Sequence, residues 1–238
     1  MDLRDSLRRL QEFDSALLAN TLDFVDPGPA AECYLSGDIQ SVTPAVGPAV
    51  GVAFTAEVDT STPEGGGWER GLYFQLVEQM EAAEVPAILV MKAIGSRPDH
   101  ECVAGDGMAK MLQAAGCVGI VTDGRVRDVE AMQAVPFSVH ARGRCVQHCA
   151  FRVKTASTPV QIGGLTISPG DVIHAGADGV LRLPKVSLDL LAEKASVVTT
   201  AEARAHAVLR STQMPVSEKV GRVEKIYKEL GLESAVEH

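Results

Sequence analysis

The sequence predicts an α/β protein: a layered β/α core with helical extensions at its N- and C-terminal ends. Three observations predict it. Leu3, Leu7, Leu10, Phe13 and Leu17 recur at helical spacing at one end, and a stretch rich in the helix formers Ala, Leu, Glu and Arg lies at the other. The middle of the chain alternates apolar strand-like runs with helical segments. After Asp128, paired short apolar runs flank Gly-containing turns, as hairpins do.

Taken in order, residues 3–22 form one amphipathic helix with Arg8, Arg9 and Glu12 on its polar face, ending before Pro27-Gly28-Pro29. Val50, Val52, Phe54, Ala56 and Val58 alternate with smaller or polar residues and predict a strand. Gly65-Gly66-Gly67 lead into a helix from Trp68 to Ala83. No Gly-Lys-Ser/Thr follows the triple glycine, so it is an entry turn and not a phosphate loop. Ala87–Met91 is short and wholly apolar, a buried strand, and Ile94–Ala104 is a loop. A Gly-rich turn then opens a helix from Ala109 to Ala115, followed by a strand from Cys117 to Val121. Further strands are predicted over Val135–Val139 and on both sides of Gly163-Gly164. Pro169-Gly170-Asp171 and Ala177-Asp178-Gly179 mark two more turns, each followed by a short apolar strand. Ser187–Leu209 is a long helix, and Pro215 separates it from a last helix, Val216–Leu230, closed by Gly231. The division this suggests is a core domain over 1–185, including the first helix, and a C-terminal helical extension over 186–238.

Composition narrows the function. The 238 residues are 46% hydrophobic and 22% charged, enough for one sizeable core. A net charge of −9 argues against a nucleic-acid partner, which calls for a basic stripe. Met1-Asp2-Leu3-Arg4-Asp5 has neither a basic nor an apolar leader segment, and no apolar run nears the roughly 20 residues of a membrane span. The expectation is a cytoplasmic protein with no membrane partner. The five cysteines, Cys33, Cys102, Cys117, Cys145 and Cys149, read as thiols there. Cys145 and Cys149, with His148 and His140 near them, have the wrong spacing for a zinc pair and lack a second one.

The chemistry concentrates between Gly105 and Asp128. Gly105-Asp106-Gly107-Met108 opens a helix, where exposed N–H groups favour anions. After the next strand, a second turn delivers Arg127 and Asp128 side by side. A guanidinium binds a carboxylate bidentately, and Asp is a hard oxygen ligand for a divalent ion. The combination describes a site for a small, anionic, oxygen-rich substrate held through a metal.

These residues also carry a resemblance. Gly47-Pro48-Ala49-Val50, Asp123-Gly124 followed by Val126-Arg127-Asp128, Ala141-Arg142-Gly143, Ile162-Gly163-Gly164, Pro169-Gly170-Asp171 and Ala177-Asp178-Gly179-Val180 stand in the order of the RraA-like family. The similarity runs from about Gly47 to Pro184. The chain resembles the class II 4-hydroxy-4-methyl-2-oxoglutarate / 4-carboxy-4-hydroxy-2-oxoadipate aldolases of that family. It implies an RraA-like, swivelling-domain-like β/α core and a divalent-metal-dependent lyase that cleaves a 4-hydroxy-2-oxo acid to pyruvate. Oxaloacetate decarboxylation through the same enolate would be a side activity.

The resemblance assigns roles. Asp128 is the Mg²⁺ or Mn²⁺ ligand, with waters at most other positions. Arg127 stabilises the enolate, and Gly105–Met108 bind the substrate carboxylate. Asp106 holds a metal-bound water that delivers and removes the proton; read from the residues alone, it is a helix N-cap. Glu202 aligns with a carboxylate lent to a neighbouring subunit's metal shell. Trimers or pairs of trimers are implied, and Val197, Val198 and Val208 support a homo-oligomer because a projecting helix would leave them partly exposed. The other route to a pyruvate enolate is a Schiff-base lysine, for which Lys92 is the best placed, although a strand-end lysine usually snorkels to solvent. Two departures stand out: Ala131 replaces the family's acidic residue three after Asp128, and Ala19-Asn20-Thr21 stands where relatives often carry Asp. The alternative function is a non-catalytic regulator of ribonuclease activity; in those relatives the aspartate after the Arg is replaced, whereas Asp128 is present here. No S-adenosylmethionine loop is visible to support a methyltransferase.

Overall fold

The computed structural model describes residues 2–26, 32–61, 71–147, 150–184 and 188–232. Two helices, α1 (Leu3–Leu10) and α2 (Ser15–Leu22), precede the sheet. The predicted single helix over 3–22 is thus broken. Asp14 accepts a hydrogen bond from the Leu17 N–H at 2.7 Å and caps α2. A cap satisfies donors that a continuous helix would satisfy internally, and here the cap wins.

A short edge strand, β1 (Gln40–Ser41), leads to β2 (Ala49–Asp59). The chain then runs through α3 (Gly71–Ala83), β3 (Ala87–Ala93), β4 (Cys102–Ala104), α4 (Asp106–Ala114), β5 (Cys117–Thr122), β6 (Arg125–Val126), α5 (Val129–Gln133) and β7 (Ser138–Ala141). β8 (Arg152–Ala156), β9 (Val160–Ile162), β10 (Leu165–Ile167), β11 (Val172–Gly176) and β12 (Gly179–Leu183) follow. Last come α6 (Leu188–Arg210) and α7 (Val216–Glu229). The main sheet has the order β1-β7-β5-β3-β2-β11-β12, and β8 also pairs with β2. Its centre, β7-β5-β3-β2, is parallel, and its flanks are antiparallel. Parallel neighbours need crossovers, which α3, the β4–α4 segment and the β6–α5 segment provide.

Burial on both faces explains the apolar run of β3. Leu89 and Met91 pack with Leu76 and Met80 of α3, Leu112 of α4 and Met132 of α5. Their neighbours Ile88 and Val90 meet the β9–β10 hairpin through Val160, Ile162, Leu165 and Ile167. The alternation in β2 has the same origin: Val50 and Val52 pack with the terminal helices and Phe54, Ala56 and Val58 with the α3 side of the core, while Ala49 and Ala53 meet the hairpin layer. It marks two buried faces rather than one wet and one dry. Ser138 begins β7 three residues later than the predicted strand start, because Pro136 has no N–H to give a ladder. The Gly163-Gly164 turn is a two-residue loop with φ of 52° and 85°, as the hairpin reading requires.

The terminal helices lie on the core. Leu188, Leu191, Ala192 and Ala195 of α6 pack with Leu7, Leu10 and Leu18 and with Val172, Leu181 and Leu183 of the sheet. Farther along α6, Val198 is 1% exposed against Leu17 and Ile226, with Val197 and Val208 partly buried against the same group. The expectation that these valines stand partly exposed is corrected for Val198 alone, which α2 and α7 cover within the chain; Val197 and Val208 keep partial exposure. Among the described residues, no helix is long and apolar enough to cross a membrane.

Candidate active site

Two strands too short to show a period build the site. β4 and β6 form a separate parallel pair, with Cys102 opposite Arg125 and Ala104 opposite Val126. Parallel strands emit their next residues side by side. Gly105 therefore leaves β4 beside Arg127 leaving β6, and the Arg127 N–H donates to the Ala104 carbonyl at 3.0 Å. On its other side, β6 is held by the Val126 N–H on the Gly143 carbonyl and the Cys145 N–H on the Val126 carbonyl, each 3.0 Å. The predicted loop over 94–104 missed β4.

The pair opens into a cleft of about 370 Å³. Gly105, Asp106, Gly107, Met108, Arg127 and Asp128 all line it. Sequence reasoning missed its other lining residues, among them Tyr73 and Phe74 of α3, Met111 of α4, and Phe151. Tyr73 packs edge-on against Phe151, with ring centroids 5.7 Å apart. Its buried hydroxyl has no hydrogen-bond partner among the described residues, and burial pushes it up to about 12. The period of α3 signals which residues face inward, but nothing local ties them to a site 30 residues on.

Asp128 has φ 58° and ψ 33°, in the left-handed region. That conformation sets its carboxylate beside Arg127, whose Nε lies 3.4 Å from Oδ2. It also presses Oδ2 against Gly105, where a Cβ would come within 2.8 Å. Glycine at 105 thus makes the cradle for the carboxylate. Asp106 is the first residue of α4, and Gly105 occupies the cap position without a side-chain bond, so the N-cap reading of Asp106 is off by one residue. The Asp106 carboxylate accepts from Lys110 Nζ at 2.6 Å. That hydrogen bond, aided by the positive charges of Lys110 and Arg127, holds Asp106 below the usual carboxylate range. The first N–H groups of α4 have no intrahelical acceptor, as at any helix start, and they adjoin the cleft.

Several other residues fall outside this group. Lys92 forms an ion pair with Asp123, a carboxylate whose side chain is 3% exposed and which also accepts from the Ala93 N–H at 2.8 Å. Its ammonium is committed to Asp123 rather than snorkelling freely or lining the cleft. Glu130 points to Arg144, 2.9 Å away, and supplies nothing in place of Ala131. Glu202 accepts from Asn20 at 3.3 Å and does not line the cleft of its own chain. His148 and Cys149 lie outside the described residues, as do the Gly65–Gly67 loop and Trp68. His140 is buried, with Nε2 2.7 Å from the Gly176 carbonyl. Among the described residues no three His, Cys, Asp or Glu side chains gather as a metal cluster. A single half-exposed carboxylate in an open cleft does suit an ion that keeps most of its waters, as Mg²⁺ does.

The family model described as "RraA-like: Aldolase/RraA" matches residues 21–182. A Halalkalibacterium halodurans protein named "Putative 4-hydroxy-4-methyl-2-oxoglutarate aldolase" is 32% identical over 124 residues, 50% of this chain and 57% of the relative. The chain thus spans little more than half that relative's length. Of the solved structures, Streptomyces coelicolor RraAS2, described as an unusual member of the RNase ES inhibitor RraA protein family, superposes with a TM-score of 0.66. It is 24% identical, over 85% of this chain and 96% of that one. A chain described as one of the novel cellulases from microbes associated with the gut ecosystem gives a TM-score of 0.71 at 19% identity, over 85% and 87%. At these identities the structures share the fold.

Proposed function

Since the chain belongs to the RraA-like family, we propose that the β4–β6 cleft is the active site of a divalent-metal-dependent lyase. Its reaction is the retro-aldol cleavage of a 4-hydroxy-2-oxo acid to pyruvate. The observation that carries this reading is the parallel β4–β6 pair, which brings the α4 N-terminus, Arg127 and Asp128 to one cleft. An oxo acid needs those three things: an anion cradle, a cation for the developing oxyanion and a hard ligand.

The substrate carboxylate binds the N–H groups of Asp106, Gly107 and Met108. Arg127 donates to the 2-oxo oxygen, where negative charge grows as the bond breaks. The C4 hydroxyl loses its proton, the C3–C4 bond breaks, and its electron pair becomes the pyruvate enolate, which takes a proton at C3. Asp106, kept ionised by Lys110, orients the water that carries these protons. Asp128 would hold Mg²⁺ or Mn²⁺ with waters, and the bound ion supplies positive charge beside the 2-oxo group. Oxaloacetate loses CO₂ through the same enolate. The proposed assembly is a homo-oligomer in which Glu202 of one chain completes a neighbour's site, and the proposed setting is the cytoplasm.

The test is pyruvate release from a panel of 4-hydroxy-2-oxo acids and oxaloacetate, with Mg²⁺ and after chelation. Release should require the ion and fall by roughly two orders of magnitude in Asp128→Asn at unchanged melting temperature. No pyruvate from any member, or wild-type release by the variant at limiting Mg²⁺, overturns the reading.

A further inference from the structure

The cleft lining is of two unlike kinds. Its charged residues are Asp106, Arg127 and Asp128, and Arg127 is the single cation among the described ones. The others include an apolar set, Tyr73, Phe74, Met108, Met111 and Phe151. Phe74 and Met111 are 39% and 42% exposed, although both are large apolar side chains. Met108 and Met111 are three residues apart on α4 and therefore share a face. Tyr73 and Phe74 follow the start of α3, their ring centroids 5.6 Å apart. An exposed aromatic–thioether surface beside a polar centre marks a ligand's apolar end.

Resting on the lyase reading, we infer that the substrate carries an apolar group, aryl or branched alkyl, on C4, in place of a second carboxylate. The oxo-acid end occupies Arg127, Asp128 and the α4 N-terminus. That leaves the C4 substituent against Phe74, Met108 and Met111. A carboxylate there would give up part of its water to an apolar surface and meet no cation among the described lining residues, the nearby Lys110 being engaged by Asp106. A phenyl or branched alkyl group gains both area and ring contacts. Cleavage converts R–CH(OH)–CH₂–CO–COO⁻ into R–CHO and pyruvate. The proton lost from the hydroxyl balances the one gained at C3, with no oxidant or reductant. The product partner is an apolar aldehyde rather than a second oxo acid.

Binding and turnover test the two ideas separately. The full-length protein with Mg²⁺ is titrated calorimetrically with 2-oxo-4-phenylbutanoate, 2-oxo-4-methylpentanoate and 2-oxoglutarate, which lack the 4-hydroxyl and cannot be cleaved. The two apolar acids should bind at least about tenfold more tightly than 2-oxoglutarate. In Met111→Arg, an exposed position, 2-oxoglutarate should gain and the apolar acids should lose, by about tenfold each. Equal or tighter binding of 2-oxoglutarate by the unaltered protein, no binding of any of the three, or a preference that Met111→Arg leaves unmoved overturns the inference. Pyruvate release from the 4-hydroxy counterparts is measured alongside. Selective binding without release sinks the lyase reading and leaves the apolar subsite standing.

Discussion

Asp128 shows how much one backbone angle can decide. At φ 58° an L-residue pays roughly 1–2 kcal/mol, least for Asp and Asn, whose side chains bond locally. Asn is therefore the cleaner replacement, since Ala would confound lost ligation with added strain. Gly105 is the second sensitive point. Its φ of −147° suits any residue, so Gly105→Ala acts through space: the new Cβ forces Asp128 Oδ2 to shift. The expected result is an unchanged melting temperature with the Mg²⁺ concentration for half-activity raised about tenfold; an unmoved Mg²⁺ titration would detach Asp128 from the metal. Arg127→Lys keeps charge but loses the planar fork. Steady-state kinetics should show kcat down about 100-fold with KM altered far less; a change in KM alone would make Arg127 a carboxylate anchor. At this scale the sequence exposed the Arg-Asp pair because its members are adjacent. It hid the Lys92–Asp123 ion pair: Lys92 stands on β3 and Asp123 just past the end of β5, and they meet only because those strands pair.

At the scale of elements, the α1–α2 break is pinned to the sheet by a buried histidine. His174 Nε2 lies 3.0 Å from the Phe13 carbonyl, which can only accept, so that nitrogen carries the proton. Nδ1 lies 3.1 Å from Ser15 Oγ at the start of α2. Burial, outweighing the Phe13 carbonyl and Asp14, with His140 adding repulsion, lowers His174 from 6.5 to about 4. The sign follows from the unfolded chain taking the proton first. The stability gained by keeping the ring neutral is complete above pH 6.5. It is lost as pH falls through 4, by about 3 kcal/mol. Urea unfolding of wild type and His174→Gln across that window checks this. The variant should start less stable at neutral pH and lose less on acidification; parallel losses would assign the acid sensitivity to other groups. The helical stretches of α6 and α7 and the apolar run of β3 were legible, with ends within a few residues. β4 and β6 were not, because strands of three and two residues carry no period.

At the scale of the whole molecule, Val198 of α6 is covered by α2 and α7 in the same chain, and Val197 and Val208 are partly buried there, which weakens the case for a partner on that face. The clearer candidate is Glu202, bonded to Asn20 and away from its own chain's cleft. If a neighbour's Glu202 completes each site, mixing inactive Asp128→Asn with inactive Glu202→Ala chains should restore part of the activity. Silence despite proven subunit exchange, or a stable active monomer on sedimentation, would end that proposal. The sequence by itself determined the α/β class, the order of the main elements and the Gly105–Asp128 segment as the chemical centre, since those rest on local period, turn chemistry and adjacency. Only the tertiary structure decided that β4 and β6 run side by side, that Gly105 cradles Asp128, and that Tyr73, Phe74, Met111 and Phe151 wall the same cleft. The physical reason is that strand pairing and packing join residues far apart in the chain, and a single sequence carries no local signal of which distant residues will meet.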